Sequence, residues 1–331
     1  MSQVGVIRYE HTVSRAAFSV GPAPGYPLDF SLALSTIIQH LPSTGFKRQK
    51  SSLAFCLRMV YNSDRGGRAM KDYRNLQWTF SSASSGGTYL KAEQFSGGKK
   101  YYYKLSDFQN GRFTGCEAAL EVIASRLGQY LGFPVLKYTG SMARIIIDGK
   151  EYQTFVVRSQ NYVKSGFTVI PLITDYLTNR LSDMESPLAY CQRIGLQPYL
   201  DCVFLFDYLI MNIDRHGHNI ELLYNTENQM QPAPIFDNGR SLTCSCGNNT
   251  VLIQNWDYRA NEPVNNFVGS IYPQQNLKHI SRIYTLPKLT EDVFAMLFRG
   301  LGSMISSEHQ NTITEAISWR YAKLLEMGYI Q

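Results

Sequence analysis

The stretch from Leu200 to Leu242 constrains this chain more than any other. It reads as an apolar helix (Leu200, Val203, Phe204, Leu205, Leu209, Ile210), then Asn212-Ile213-Asp214-Arg215-His216-Gly217-His218-Asn219, then the apolar Ile220-Glu221-Leu222-Leu223. After a connection comes Pro234-Ile235-Phe236-Asp237-Asn238-Gly239. Two acids and an asparagine thus fall at the ends of short apolar segments, the second acid in a Phe-Asp-x-Gly turn. Phosphotransferase sites are built from such parts: one Asp contacts the acceptor hydroxyl, while an Asn five residues on and a later Asp hold Mg²⁺ against nucleotide phosphates. Mg²⁺ is a hard cation that keeps several waters, so one carboxylate and one amide oxygen suffice beside the phosphates. Asp-x-x-x-x-Asn alone is common. Asp-Arg-His-x-x-Asn after an apolar helix, with Phe-Asp-x-Gly placing its acid eighteen positions beyond Asn219, is rare. The competing structural reading is an Asx-rich hairpin whose polar side chains cap turns.

These residues resemble the catalytic and metal-binding loops of the HipA-like serine/threonine kinases. That family belongs to a wider group with the phosphatidylinositol 3-/4-kinases, which also use Asp-Arg-His-x-x-Asn. Carried onto this sequence, the resemblance implies that Asp214 is the catalytic aspartate and that Asn219 and Asp237 are Mg²⁺ ligands. It makes His216 the motif histidine, steadying the loop or the transferring phosphoryl group. It implies an α+β, two-lobed protein-kinase-like fold with an antiparallel-sheet small lobe and a mainly helical large lobe. ATP and Mg²⁺ would be the cofactors, and a protein serine or threonine the acceptor, with autophosphorylation expected for a serine in the phosphate loop.

The rest of the chain supplies the other parts in order. Gln77–Phe80 reads as a strand, Ser81-Ser82-Ala83-Ser84-Ser85-Gly86-Gly87 as a loop of small residues, and Thr88–Ala92 as a returning strand. Such a loop lets backbone N–H groups come close to phosphate oxygens, which places Ser84, Ser85, Gly86 and Gly87 over the nucleotide. Its bland reading is a flexible hairpin tip, and it is richer in serine than the family's glycine loop. Lys100–Leu105 follows Gly97-Gly98 as a third strand, and Cys116–Gly132 carries apolar residues at helical spacing. A strand lysine paired with a helix glutamate orients the α- and β-phosphates in kinase-type sites. Lys104 and Glu121 are the expected pair, with Lys91 and Lys100 as rivals to the first and Glu117 to the second. Pro134–Leu136, Ala143–Ile147 and Tyr152–Val157 read as strands, the last two joined through Asp148-Gly149. The exit at Arg158-Ser159-Gln160-Asn161 resembles a kinase hinge, where Arg158 and Gln160 would offer backbone groups to adenine. Thr174–Leu177, Pro187–Arg193, Thr290–Leu301 and Thr312–Leu325 read as helices, and Glu262–Ile280 resembles the family's connecting segment. The expected division is residues 76–160 as the nucleotide-binding small lobe and 161–331 as the catalytic large lobe.

Residues 1–75 match nothing in that family. They hold ten basic side chains against four acidic ones, which is the whole of the chain's net +6. Such a face can meet nucleic acid, an acidic partner or water, and the solvated face is the commonest case. Phe30–Leu41 is a candidate amphipathic helix in this extension, and Ser51–Tyr61 a second helix or a strand. No apolar run approaches the roughly 18–20 residues that span a bilayer, and Met1–Gly5 does not open a signal peptide, so a cytoplasmic protein without a membrane partner is expected. The six cysteines are scattered and suit reduced core thiols, although Cys244-Ser245-Cys246 with His216 and His218 offers the elements of a zinc site. Two alternatives use the same residues differently: a lipid or small-molecule kinase with the same site, and a pseudokinase or nucleic-acid-binding regulator acting through residues 1–75.

Overall fold

A computed structural model describes residues 70–82 and 85–331, with side chains between 81 and 88 left out. The candidate helix at 30–41, the helix or strand at 51–61, Ser84 and the basic extension up to residue 69 lie outside the described residues, and the extension's last residues supply the first strand. The chain first builds a six-stranded sheet. Its strands are β1 (Lys71–Asp72), β2 (Thr79–Ser82), β3 (Ser85–Ser96) and β4 (Lys99–Lys104), with β5 (Phe108–Gln109) and β6 (Arg112–Phe113) forming a separate ribbon. Helix α1 (Glu117–Leu131) follows, then β7 (Tyr138–Ile147) and β8 (Lys150–Gln160), giving the sheet order β1-β7-β8-β4-β3-β2. All neighbours are antiparallel except the two-residue β1, which pairs parallel to β7.

Two tight turns fix the register of this sheet. Gly97-Gly98 joins β3 to β4 with φ of 57° and 72°, and Asp148-Gly149 joins β7 to β8 with φ of 49° and 76°. Both are two-residue loops with left-handed backbone at each position, the geometry that matches strand twist and that glycine tolerates. Pairing of β2 with β3 runs on through Ser81↔Gly86 to Ser82↔Ser85. Ser85, Gly86 and Gly87 therefore lie in β3 rather than in the seven-residue loop expected from composition. Alternation then sorts the faces. Tyr103, Leu90, Ala143, Ile145 and Val156 close a small apolar core on one side, while Phe155 and Val157 join the larger core that contains α1. Helix α1 ends at Gly132 (φ 81°), whose N–H donates to the Gln129 carbonyl. Gly128 within it admits Val135, whose methyls would lie 2.5 and 2.8 Å from an added Cβ.

The remainder is mainly helical. It comprises β9 (Phe167–Pro171), α2 (Leu172–Asn179), α3 (Pro187–Arg193), α4 (Gln197–Ile210), β10 (Asp214–Arg215), β11 (Glu221–Asn225) and β12 (Met230–Pro232). A 3₁₀ turn at Leu242–Cys246 follows, then α5 (Thr250–Gln254), β13 (Asn265–Asn266), α6 (Pro273–Asn276), α7 (Glu291–Phe298) and α8 (Ser307–Glu326). Helix α4 is the axis of this lobe: Val203 through Ile210 are buried without a break, so its last two turns have no solvent face. The expected strand at 134–136 reduces to one parallel bridge, Val135↔Ile235, into the apolar run before Asp237. None of the described helices is long and apolar enough to cross a membrane.

Candidate active site

Helix α4 stops at Met211, which takes a left-handed φ of 51° and donates its N–H to the Asp207 carbonyl. Asn212 then makes the corner. Its Nδ2 donates to Asp207 Oδ1 at 3.0 Å and its Oδ1 accepts from the Asp214 N–H at 3.1 Å. The loop that leaves this corner is pinned from beneath by Arg215, which is 1% exposed. Its Nε and Nη2 donate to the two Asp207 oxygens at 2.9 and 2.8 Å. The same guanidinium donates to the Asn219 carbonyl (3.2 Å), the Phe236 carbonyl (2.8 Å) and Asn238 Oδ1 (2.6 Å). One planar fork thus ties α4, the 212–219 loop and the 236–238 turn together, a task that suits arginine's fixed donors.

Within the loop, Asn219 Nδ2 donates to the Asp214 carbonyl at 2.8 Å, which leaves its Oδ1 as the atom that can meet a cation. Asp214 lies on β10 beside β13, and its Oδ1 accepts from Asn265 Nδ2 at 2.7 Å. Its Oδ2 accepts from Arg240 Nη1 at 3.2 Å. His216 Nδ1 accepts from the His218 N–H at 3.2 Å, so the imidazole braces the loop. Gly217 must be small here, since a Cβ would meet Ile173 at 2.6 Å.

From the sheet, Lys104 ends β4 and reaches Asp237 Oδ1 at 2.7 Å, with Glu121 Oε2 at 3.9 Å. Glu121 is buried on α1 and accepts from the Asn238 and Gly239 N–H groups at 2.8 and 2.9 Å. It clamps the turn that presents Asp237 as much as it pairs with the lysine. Gly239 lets that clamp close, because a Cβ there would lie 3.1 Å from both Glu121 Oε2 and the Glu117 carbonyl. Asp237 itself adopts a left-handed φ of 57°. Two carboxylates sharing one lysine cannot both keep ordinary affinity for protons. Burial and the Asp237 charge push the Glu121 carboxyl up, against Lys104 and the two N–H groups. Burial also opposes ionisation of Asp237, but the adjacent Lys104 outweighs it and holds that carboxyl below its usual range. Burial opposes the charge of Lys104, but Asp237, Tyr138 and Glu121 together hold it above the usual lysine range.

The rivals are placed elsewhere or differently. Glu117 accepts from the Asp107 N–H at 3.1 Å, and Lys100 pairs with Glu93 at 2.8 Å. Lys91 stands directly opposite Lys104 in the β3–β4 register and shares its face, where burial and then Lys104 hold it below its usual range. Arg158 stacks on the Tyr101 ring at 4.6 Å, on the face away from Lys104, and Gln160 alternates onto that same face. Any contact from either to a nucleotide in the cleft is through backbone. Sequence reasoning missed four contributors: the hub role of Arg215, the Arg240 and Asn265 contacts to Asp214, and the Tyr162 hydroxyl bonded to Glu221 on β11. Arg215 was visible inside the motif; Asn265 has no local signal, because only the fold brings β13 beside β10.

Asp237 and Asn219 present the oxygen donors that suit Mg²⁺, and they come from the two loops Arg215 ties together. Among the described residues no group of three or more His, Cys, Asp or Glu side chains is arranged to hold a metal ion. A two-ligand set fits a cation carried in by phosphate oxygens rather than an all-protein cage. The possible zinc ligands are not gathered: Cys244 lies near Cys246 and Glu117, and its thiol is pushed up to about 12 by burial and then by Glu117.

No family model and no curated protein matches the chain. Among solved structures it is similar to the crystal structure of a Helicobacter pylori proinflammatory kinase, CtkA. The match has a TM-score of 0.55 at 15% identity and covers 78% of this chain and 96% of that one. At that identity the likeness is one of fold. The chain has the two-lobed, α+β architecture of the kinases.

Proposed function

We propose that this chain is an ATP- and Mg²⁺-dependent phosphotransferase of HipA-like type whose acceptor is a protein serine or threonine. The observation that favours it most is that Lys104, Glu121 and Asp237, 133 positions apart at the extremes, meet within 2.7–3.9 Å, on a turn that Arg215 ties to the loop carrying Asp214 and Asn219. In this reading Lys104 holds the α- and β-phosphates and Glu121 fixes the metal-side turn. Mg²⁺, held by Asp237 and Asn219, would neutralise charge on the phosphates. Asp214 accepts a hydrogen bond from the acceptor hydroxyl. That oxygen forms its bond to the γ-phosphorus as the bridging P–O bond to ADP breaks, and the hydroxyl proton passes to Asp214 and then to water. A cytoplasmic location, where ATP and Mg²⁺ are abundant, goes with this chemistry.

Autophosphorylation belongs to the same proposal, on Ser84 or Ser85 beside Gly86. A phosphate there adds about −1.5 to −2 charge next to the nucleotide phosphates and would repel them, so activity should decline during incubation with Mg·ATP. The test is incubation with γ-labelled ATP and Mg²⁺, followed by phosphosite mapping on the protein and on a lysate, with lipid and small-molecule extracts run in parallel. Label on serine or threonine supports the protein-kinase reading. Label only in the extracts moves the acceptor to another class, and no label anywhere removes the phosphotransferase reading.

A further inference from the structure

The loop that carries Asp214 contains one arginine, and that arginine is spent on structure: Arg215 is buried and committed to Asp207, Asn219, Phe236 and Asn238. His216, two places after Asp214, is turned to the His218 N–H. The charge that faces Asp214 comes instead from the other loop. Arg240 follows Gly239, and its carbonyl accepts from the Ile213 N–H at 3.0 Å. This bond and the Glu121 clamp on Asn238 and Gly239 fix its Cα from both sides. Its guanidinium lies 3.2 Å from Asp214 Oδ2 and is 46% exposed, so it stands open to solvent and to an incoming anion. The other charged or titratable groups near it are Glu117 on α1, Cys244 on the 3₁₀ turn, and Tyr89, two residues along β3 from Gly87. Arg240 therefore stands between the acceptor-side carboxylate and the strand returning from the phosphate-covering hairpin.

We propose that Arg240 is a catalytic residue, the cation that turns from Asp214 to the transferring phosphoryl group as the new O–P bond forms. The inference rests on the phosphotransferase reading above. An ion pair so exposed is held weakly, so the guanidinium can be drawn away by a stronger anion. The departing phosphoryl group spreads negative charge over three equatorial oxygens, and a planar fork of N–H donors matches two of them at once. Leaving Asp214 also frees Oδ2 to meet the acceptor hydroxyl, while Asn265 keeps Oδ1 in place.

The experiment compares binding of Mg·ADP with binding of Mg·ADP·AlF₄⁻, a mimic of the phosphoryl group in flight. Wild type should bind the mimic roughly tenfold or more tightly than Mg·ADP, as transition-state analogues do. Arg240→Gln should keep Mg·ADP affinity and melting temperature but lose most of that gain, and Arg240→Lys should recover part of it. Its turnover should fall roughly 10²-fold, the scale on which a single charge-stabilising donor acts. The same loss of gain in an Asp214→Asn background shows that Arg240 acts on the phosphoryl group directly; no further loss there makes it only a positioning residue for Asp214 and overturns the proposal. A gain unchanged in Arg240→Gln, or turnover raised above wild type, also overturns it and leaves the kinase reading standing. If wild type itself binds the mimic no better than Mg·ADP, the phosphotransferase reading falls and the role of Arg240 with it.

Discussion

Replacing Arg215 by methionine should damage the fold before it damages chemistry. The guanidinium makes five hydrogen bonds, two of them to Asp207, and both residues are buried. Methionine keeps much of the stem volume, so the loss is electrostatic rather than a cavity. It strands the Asp207 carboxylate, whose side chain is 12% exposed, with only Asn212 beside it. Breaking a buried ion pair from one side costs roughly 3–5 kcal/mol, because the remaining charge keeps its desolvation penalty. Against a total stability of about 5–15 kcal/mol this is a large share. A domain of this size then melts on the order of 10 °C lower. Thermal unfolding and urea titration would read it as a lowered midpoint at unchanged slope. Arg215→Lys should recover little, since a point charge cannot span Asp207, Phe236 and Asn238 together. Removing both partners, with Asp207→Leu and Arg215→Met, should regain part of the midpoint because no charge is left buried alone. A single Arg215→Met variant melting within about 2 °C of wild type would refute the hub reasoning.

Asp237→Asn should abolish Mg²⁺-dependent nucleotide binding with the melting temperature nearly kept; wild-type Mg·ATP affinity in that variant would move the metal elsewhere. Asp214→Ala should bind Mg·ATP normally and lose turnover by about 10²–10⁴-fold, the contribution of a positioned proton acceptor, and residual turnover near wild type would reassign the role. Lys104→Met should lower turnover far more than adenosine affinity, whereas an unchanged rate would pass the phosphate grip to Lys91 across the ladder. Glu221 gives a pH test. Burial raises its carboxyl above the ordinary value despite the Tyr162 hydroxyl. The folded state therefore binds that proton more tightly than the unfolded chain does. This stability is present below the ordinary carboxyl range and is lost as pH rises through the raised value. Glu221→Gln should melt higher than wild type at pH 8 and no differently near pH 4; equal curves at both would sink the assignment.

The parts legible in the sequence are those whose signals are local. Gly97-Gly98 and Asp148-Gly149 turn their chains as glycine chemistry requires, and the apolar periods of 117–131 and 197–210 give α1 and α4. Lys104 and Glu121 could be paired because a strand end and a helix face constrain reach. Composition misled at Ser81–Gly87, where small residues suggest a loop but cross-strand pairing carries the backbone on as strand to Ser85. The short apolar run at 134–136 promised a strand, yet it found one bridging partner, Ile235. Asn265 was illegible for a different reason. It meets Asp214 across 51 positions of chain, and nothing near it differs from any polar turn. Arg240 likewise reads as an ordinary surface arginine until the Ile213–Arg240 bond is seen.

The left-handed backbone at Asp237 bears on how such a site can be lost. A side chain with φ near 57° carries strain on the order of 1 kcal/mol, which glycine would relieve and asparagine tolerates well. Either replacement also removes one of two acids that compete for Lys104, and Glu121 at 3.9 Å remains to keep that lysine company. Both are one base change from an aspartate codon. A copy of this gene freed from selection on phosphotransfer could thus shed its metal ligand with little harm to folding or abundance. Drift would then leave a well-folded shell with an intact Arg215 hub and an altered residue 237. The acid at that position, carried on a backbone conformation that glycine or asparagine would fill more easily, is the residue whose retention speaks for chemistry rather than for architecture.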